Sequence, residues 1–296
     1  MPVTPDSAGD ALLGQQVGNY RVTHKLGQGG MGAVYLAVHP KIGRKVAIKV
    51  LSAQFSRDRE LSARFLAEAR AVTLIEHANV VDVYDLGELE NGQLYYVMEV
   101  LRGKELRAVL QAAGRLSAAR AWPHVEQICA GLQAAHEAGV IHRDLKPENI
   151  FVLDRQPLAV KLLDFGIAKL RETQAGPSRT STGVVMGTPL FISPEQAAGQ
   201  PERICNQTDL YSLGVVLFWM LAGRPPFTAD ASAVLLSKHI CEDPPPLAEL
   251  CPGVPAAIAA LVARCLEKEP GDRPVSAAEV AEAFRLGLDD AGSSRP

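Results

Sequence analysis

The stretch "IHRDLKPENI", Ile141 to Ile150, crowds His, Arg, Asp, Lys, Glu and Asn between two isoleucines. So many polar groups between apolar flanks cost free energy unless something uses them. Upstream, Trp122, Val125, Cys129, Leu132 and His136 recur at helical spacing along one face. Downstream, "IFVL" and "VKLL" are short β-branched runs separated by a turn. The stretch is therefore a loop between a helix and a pair of strands, and its side chains are candidates for chemistry.

Working toward the N-terminus, "QLYYVMEVL", "ANVVDVYDLGE", "KVAIKVL", "AVYLAV" and "YRVTHKL" read as strands, the first three in chain order forming an antiparallel meander. Between them, residues 58–75 change period, with Phe65, Ala69, Val72 and Ile75 on one helical face. Toward the C-terminus, "DLYSLGVVLFWML", "AAIAALVARCL" and "SAAEVAEAFRL" read as helices, and "DPPPL" as a loop, since prolines lack the N–H a helix needs. Residues 171–187, rich in Gly, Ser and Thr, read as a mobile loop. The expected fold is α+β: a small antiparallel β-sheet lobe with one main helix, then a larger, mostly helical lobe. The expected boundaries are a flexible leader over 1–18, lobes over 19–100 and 104–287, a joint about 99–103, and a flexible tail over 288–296.

The 296 residues are 47% hydrophobic with a formal net charge of -3, and the basic residues are spread among acids, which argues against nucleic acid as a partner. The five cysteines are scattered, without metal-binding spacing, so reduced and mostly buried thiols are expected. "MPVTPDSAGDALLGQQ" has no basic start or apolar core and does not read as a secretory signal. "LGVVLFWMLAG" falls far short of the ~20 residues of a membrane helix. A cytoplasmic protein without a membrane segment is the expectation.

"LGQGGMGAV" sets Gly27, Gly29 and Gly32 in GxGxxG spacing, with Val34 following. A hairpin turn needing positive φ is one reading. A dinucleotide-binding turn is another, but it requires a helix after the glycines, and "AVYLAV" reads as strand. A strand–glycine–strand flap can lower backbone N–H groups onto phosphate oxygens. No Walker GxxxxGK[ST] motif occurs. In "VAIK", Ala47 and Lys49 share one strand face, a surface suited to seat a flat ring and grip a phosphate. Glu68, in "RFLAEAR", can reach Lys49 if its helix packs on the sheet; a surface salt bridge is the plainer alternative.

These motifs, with "HRDLKPEN" and "DFG" in order, resemble the eukaryotic-type protein kinases, and "GQGGMGAVY", "DFGIAK" and "GTPLFISPEQ" look most like the bacterial serine/threonine members. The likeness runs from about Tyr20 to Leu286. It implies a two-lobed protein kinase fold that uses ATP and Mg²⁺, with Mn²⁺ as the alternative metal, and transfers the γ-phosphate to Ser/Thr hydroxyls of proteins in bacterial signal transduction. Asp144 would be the catalytic base, Lys146 would neutralise the moving phosphoryl group, and Asn149 and Asp164 would hold metal. Lys49, fixed by Glu68, would grip the phosphates. Leu26, Val34, Ala47 and Phe151 would sandwich the adenine, with Met98 behind it and Glu99 and Val100 as the hinge. Val72, Val83, His142 and Phe165 would form a stack crossing both lobes. Glu195 and Arg273 would pair in the helical lobe, and Asp209 would anchor the catalytic loop. Ser193 stands where Ala is usual.

The resemblance also implies control. Arg143, Arg64 and Lys169 would form a basic pocket that wants an anion. Thr180 and Thr182 in "SRTSTG" would be autophosphorylated, in trans or within a homodimer, and Thr188 would contact Asp144 and Lys146. Glu148 would favour a basic residue near the target hydroxyl. The alternatives are a pseudokinase scaffold, which would normally lack Lys49, Asp144 or Asp164, and a small-molecule phosphotransferase, which usually lacks the flap and the "SPE" segment.

Overall fold

The computed structural model describes residues 10–29, 32–56, 58–165 and 189–293. It divides into two compact units, one of residues 1–76 and 80–102, the other of 77–79 and 103–296.

In the first unit a six-stranded sheet has the order β1-β2-β3-β4-β6-β5, with β1 Gln16–Val17, β2 Tyr20–Gln28, β3 Gly32–Val38, β4 Lys45–Leu51, β5 Val83–Glu88 and β6 Leu94–Met98. Every pairing is antiparallel. Alternation gives the sheet two faces. One packs Val22, Ala33, Tyr35, Ala37, Val46, Ile48, Val50, Tyr95 and Val97 into a core. On the other, helix α2, Arg59–Val72, which follows the short α1, Ala53–Ser56, buries Phe65 and Ala69 against Leu51 and Tyr96.

Within the stretch 1–18 expected as a leader, the described residues from Asp10 pack on the first unit. Val17 is buried, Leu12 and Leu13 pack on the core, and the Asp10 carboxylate accepts the Tyr35 hydroxyl at 2.9–3.0 Å and pairs with Lys25 at 3.0 Å. Two leucines and a valine supply apolar area that a merely polar strap lacks.

The second unit is built on α4, Ala118–Glu137, and α6, Asn206–Ala222. Helix α4 starts at the Ser117 N-cap and buries Val125, Cys129, Leu132 and His136. Helix α6 is apolar around nearly its whole circumference, and that composition suits a helix enclosed by others. It is closed by Gly223 in the left-handed conformation. A three-stranded sheet pairs β7, Gly103–Glu105, with β8, Ile150–Leu153, and β8 with β9, Ala159–Leu162. Helices α3 (Leu106–Ala113), α5 (Pro194–Ala197), α7 (Ser232–Cys241), α8 (Leu247–Leu250), α9 (Ala256–Cys265) and α10 (Ala277–Ser293) complete it. Helix α10 runs through Ser293, across residues 288–293 of the expected tail. Among the described residues no helix is long and apolar enough to cross a membrane.

Residues 77–79 group with the second unit because Asn79 is bound there on both backbone and side chain. Its carbonyl accepts Leu162 N–H at 2.8 Å, and its amide donates to the Val160 carbonyl at 2.8 Å and to Gln127 Oε1 at 3.0 Å. This approach needs Gly131, where a Cβ would lie 2.9 Å from Leu162 Cδ1 and 3.0 Å from the Asn79 carbonyl oxygen. Gly131→Ala is expected to destabilise the protein by about 1–3 kcal/mol, read as a lower midpoint in thermal unfolding; an unchanged midpoint would contradict the close approach.

Candidate active site

In the first unit, strand register brings the expected nucleotide-binding residues onto one face. Val34 lies opposite Lys49, which lies opposite Tyr96; Ala47 lies opposite Leu36 and Met98, and Met98 opposite Val83. Val34, Leu36 and Met98 on this face are only half-buried. Lys49 Nζ stands 3.7 Å from Glu68 Oε1 on α2 and 5.6 Å from the centre of the Tyr96 ring. Helix α2 meets the sheet through Phe65 and Ala69, and Val72 is buried one turn on. Glu68 thus faces the lysine across a largely dehydrated gap.

Gly29 and Gly32 close the hairpin between β2 and β3, with Gly29 N–H donating to the Gly32 carbonyl at 2.8 Å. Gly32 is required by strand pairing: a Cβ there would sit 2.0 Å from the Val50 carbonyl oxygen. Gly27 and Gly29 are different. A Cβ on either meets nothing within 4 Å among the described residues, and neither has a positive φ. Leu26 beside them is exposed. After β6 the Glu99 N–H donates to the Asp82 carbonyl at 3.0 Å, and the Asp82 N–H donates to Glu99 Oε1 at 2.9 Å, which ties down the chain leading to Val100.

In the second unit the loop after α4 is built around a buried carboxylate. Asp209, in the first turn of α6, accepts the Arg143 N–H on Oδ1 at 2.8 Å and the His142 N–H on Oδ2 at 2.8 Å; His136 Nε2 also reaches Oδ2 at 2.7 Å. Arg143 adopts φ 62°, the left-handed region that non-glycine residues seldom enter. Its carbonyl accepts Gln196 Nε2 at 2.8 Å, and Gln196 is itself fixed by a capping box with Ser193.

Asp144 follows. Lys146 Nζ donates to its Oδ2 at 2.8 Å, and Asn149 Nδ2 donates to its Oδ2 at 3.1 Å and its carbonyl at 2.8 Å. Because both Asn149 amide contacts are donated to Asp144, its Oδ1 is the atom turned elsewhere. Leu163 N–H donates to the Asn149 carbonyl at 2.8 Å, linking this loop to Asp164, which has φ 47°. Phe165 is fully buried, its ring 4.4 Å from that of His142. His142 Nε2 lies 3.0 Å from the Leu163 carbonyl, which fixes the proton on that nitrogen, and burial holds the imidazole below its usual pKa. Phe151, half-buried on β8, lies opposite Glu105 and Lys161.

Behind the loop, Glu195 and Arg273 form a two-pronged pair at 2.9 and 3.0 Å, and the Thr208 hydroxyl donates to Glu195 at 2.6 Å. Arg273 also donates to the carbonyls of Glu267, Gln207 and Lys268. Burial pushes the Glu195 carboxyl up, but the Arg273 hydrogen bonds and charge with the Thr208 hydroxyl outweigh it and hold the group below its usual range. Thr180, Thr182, Thr188 and Lys169 lie outside the described residues, as does the Arg64 side chain. Gln196, His136, Thr208 and Asn79 have no assigned role in the sequence reading. The available signal was His136, a polar residue in line with Trp122, Val125, Cys129 and Leu132 on α4.

The fold is that of a protein kinase, and residues 20–284 match the family model described as the protein kinase domain. The chain belongs to that family. It is 42% identical over 283 residues to the serine/threonine-protein kinase Pkn1 of Myxococcus xanthus, covering 95% of this chain and 40% of that one. It is also 42% identical over 270 residues to PknA of Mycobacterium tuberculosis, covering 90% of this chain and 60% of that one. The chain therefore spans about half the length of these relatives. A crystal structure of the Mycobacterium tuberculosis PknI kinase domain superposes with a TM-score of 0.74 at 27% identity, covering 93% of this chain and 98% of that one. As a family, protein kinases use ATP and a divalent metal and act on protein substrates.

The Glu195–Arg273 pair gives a stability prediction. Arg273→Met leaves Glu195 buried and unpaired, and is expected to cost about 3–5 kcal/mol in denaturant unfolding. Since the folded Glu195 pKa is depressed, the pair's contribution is complete above the ordinary value of 4.5 and is lost as pH falls through the folded value. Stability of the unaltered protein is expected to decline below pH 4.5 more steeply than that of Arg273→Met, measured by unfolding at graded pH.

Proposed function

We propose that this chain is an active serine/threonine protein kinase that moves the γ-phosphoryl group of ATP to protein hydroxyls. It would do so in bacterial signalling in the cytoplasm and would phosphorylate its own Thr180 or Thr182. The observation that carries this reading is Asp144, held by Lys146 and Asn149 in a loop clamped by Asp209. A pseudokinase scaffold has no need of a carboxylate so braced.

Phosphoryl transfer asks little covalent help of a protein and much positioning and charge neutralisation. Asp144 orients the acceptor hydroxyl and takes its proton as the oxygen bonds to the γ-phosphorus; the bond to the β–γ bridging oxygen breaks and ADP leaves with that electron pair. Lys146 offsets charge on the moving group. Lys49, aligned by Glu68, grips the α- and β-phosphates, and the N–H groups about Gly27 and Gly29 approach the phosphate oxygens. The face of Val34, Ala47 and Met98 takes the adenine, and Phe151 is a further adenine contact in this reading. Asp164 and the Oδ1 of Asn149 are hard oxygen donors, suited to Mg²⁺, with Mn²⁺ as the alternative, and no described cluster of three or more His, Cys, Asp or Glu offers a self-sufficient cage. That suits a cation completed by phosphate and water; when bound it neutralises phosphate oxygens.

Arg143 supports the loop switch. Its Nε is buried without a hydrogen-bond partner among the described residues, and burial holds its pKa down despite the charge of Asp209. A phosphorylated threonine would supply the missing acceptor. Thr188 would steady Asp144 and Lys146.

Asp144→Asn is expected to lower phosphoryl transfer to a generic basic protein by about 10²–10⁴-fold, with nucleotide affinity retained in a binding titration. Unchanged turnover would remove Asp144 from the mechanism. Peptide mapping by mass spectrometry is expected to find phosphate on Thr180 or Thr182 in active protein; a bare loop at full activity would refute the switch.

A further inference from the structure

Beside the loop that carries Asp144 lies a group of charges on neighbouring elements of the second unit. Glu105 ends β7, Arg107 stands in the first turn of α3, and Lys146 and Glu148 flank Pro147. Arg107 and Glu148 are joined by a direct hydrogen bond between Nη1 and Oε1. The other Glu148 oxygen, Oε2, is buried and has no hydrogen-bond partner among the described residues. Glu105 and Glu148 are close enough to raise the Glu105 pKa, after burial the largest cause, with Arg107 and Lys146 partly offsetting. Lys146 is already committed to Asp144 at 2.8 Å.

Glu148, four residues after the proposed base, and the neighbouring Glu105 form an acidic pair that would attract a cationic side chain of an incoming substrate. Here the protein supplies that cation itself. We infer that Arg107 occupies the place a substrate arginine or lysine would take on Glu148, so that the kinase does not require a basic residue beside its target hydroxyl. Arg107 is thus a specificity-determining residue. Its guanidinium is about half exposed, and an exposed ion pair is worth at most ~1 kcal/mol. The screen is therefore partial: a substrate cation competes with Arg107 and gains little net. Removing Arg107 leaves the Glu148 carboxylate unscreened.

The inference rests on the kinase reading, and the experiment separates the two. A neutral peptide with one serine is phosphorylated alongside a scan in which each flanking position in turn becomes arginine, using the unaltered protein and Arg107→Gln. The unaltered protein is expected to treat the scan nearly uniformly. Arg107→Gln is expected to keep its kcat/KM for the neutral peptide and to gain about three- to fivefold for arginine at one or two positions, the factor that ~1 kcal/mol represents. The gain is expected to vanish in Arg107→Gln/Glu148→Gln. An arginine preference already present in the unaltered protein, or an equal change for neutral and arginine peptides, overturns the inference while the kinase reading stands. No transfer to any peptide by the unaltered protein overturns both.

Discussion

The carboxylate of Asp209 is the constraint on which the loop carrying Asp144 depends. It is fully buried and accepts the consecutive N–H groups of His142 and Arg143, with His136 on the same oxygen as the former. Hydrogen bonds to a charged acceptor are worth roughly 1.5–3 kcal/mol each, and orphaning a buried N–H costs a similar amount. That holding force matters because Arg143 sits in the left-handed region, a conformation that costs on the order of 1–3 kcal/mol for a non-glycine residue. Gln196 closes the other side by donating to the Arg143 carbonyl. With one residue held at both its N–H and its carbonyl, the turn is over-determined, and Asp144 leaves it in a fixed direction.

The start of α6 organises more than this loop. Asp209 lies in its first turn, where the unpaired N–H groups of the helix favour negative charge. The preceding residue, Thr208, donates to Glu195, the carboxylate paired with Arg273, while the residue after Glu195 is the Gln196 that holds Arg143. Two adjacent residues on α5 therefore serve two anchors, one bracing the helices and one bracing the turn that leads into Asp144. Ser193 joins them: its hydroxyl caps Gln196, and the Gln196 amide oxygen accepts the Ser193 N–H in return. An alanine at 193 could make the second contact and not the first.

Period and punctuation made much of the architecture legible. The meander from Tyr20 to Leu51, the helix over 59–72 and the apolar α6 all follow from alternation or 3.6-residue spacing. The packing of Leu12, Leu13 and Val17 is not legible in the sequence, since they form no period and a strap of β1 length leaves too short a pattern to detect. Within the site, Lys49 and Glu68 were readable as a charge on a small-residue strand and a charge at a helix edge. Asp209, Glu195 and Arg273 were accessible through family resemblance alone, since a buried carboxylate in an apolar helix announces a partner without naming it. Gln196 and Arg107 were invisible for a different reason. Their partners lie 53 and 41 residues away, and local pattern carries nothing about such contacts.

The glycines separate structural from chemical demands. Gly32 and Gly131 are explained by packing, for a methyl group at either would press on a neighbouring backbone. Gly27 and Gly29 have no such explanation: open space surrounds them among the described residues, and their φ values are accessible to any residue. Glycine at an unconstrained strand position is a cost, on the order of 0.5–1 kcal/mol relative to alanine, through the entropy lost on folding. A fold with nothing to gain from that cost at two positions in one hairpin is consistent with a ligand that needs the bare backbone there. On the proposed function that ligand is the triphosphate of ATP, whose oxygens take N–H donors that a β-carbon would hold off.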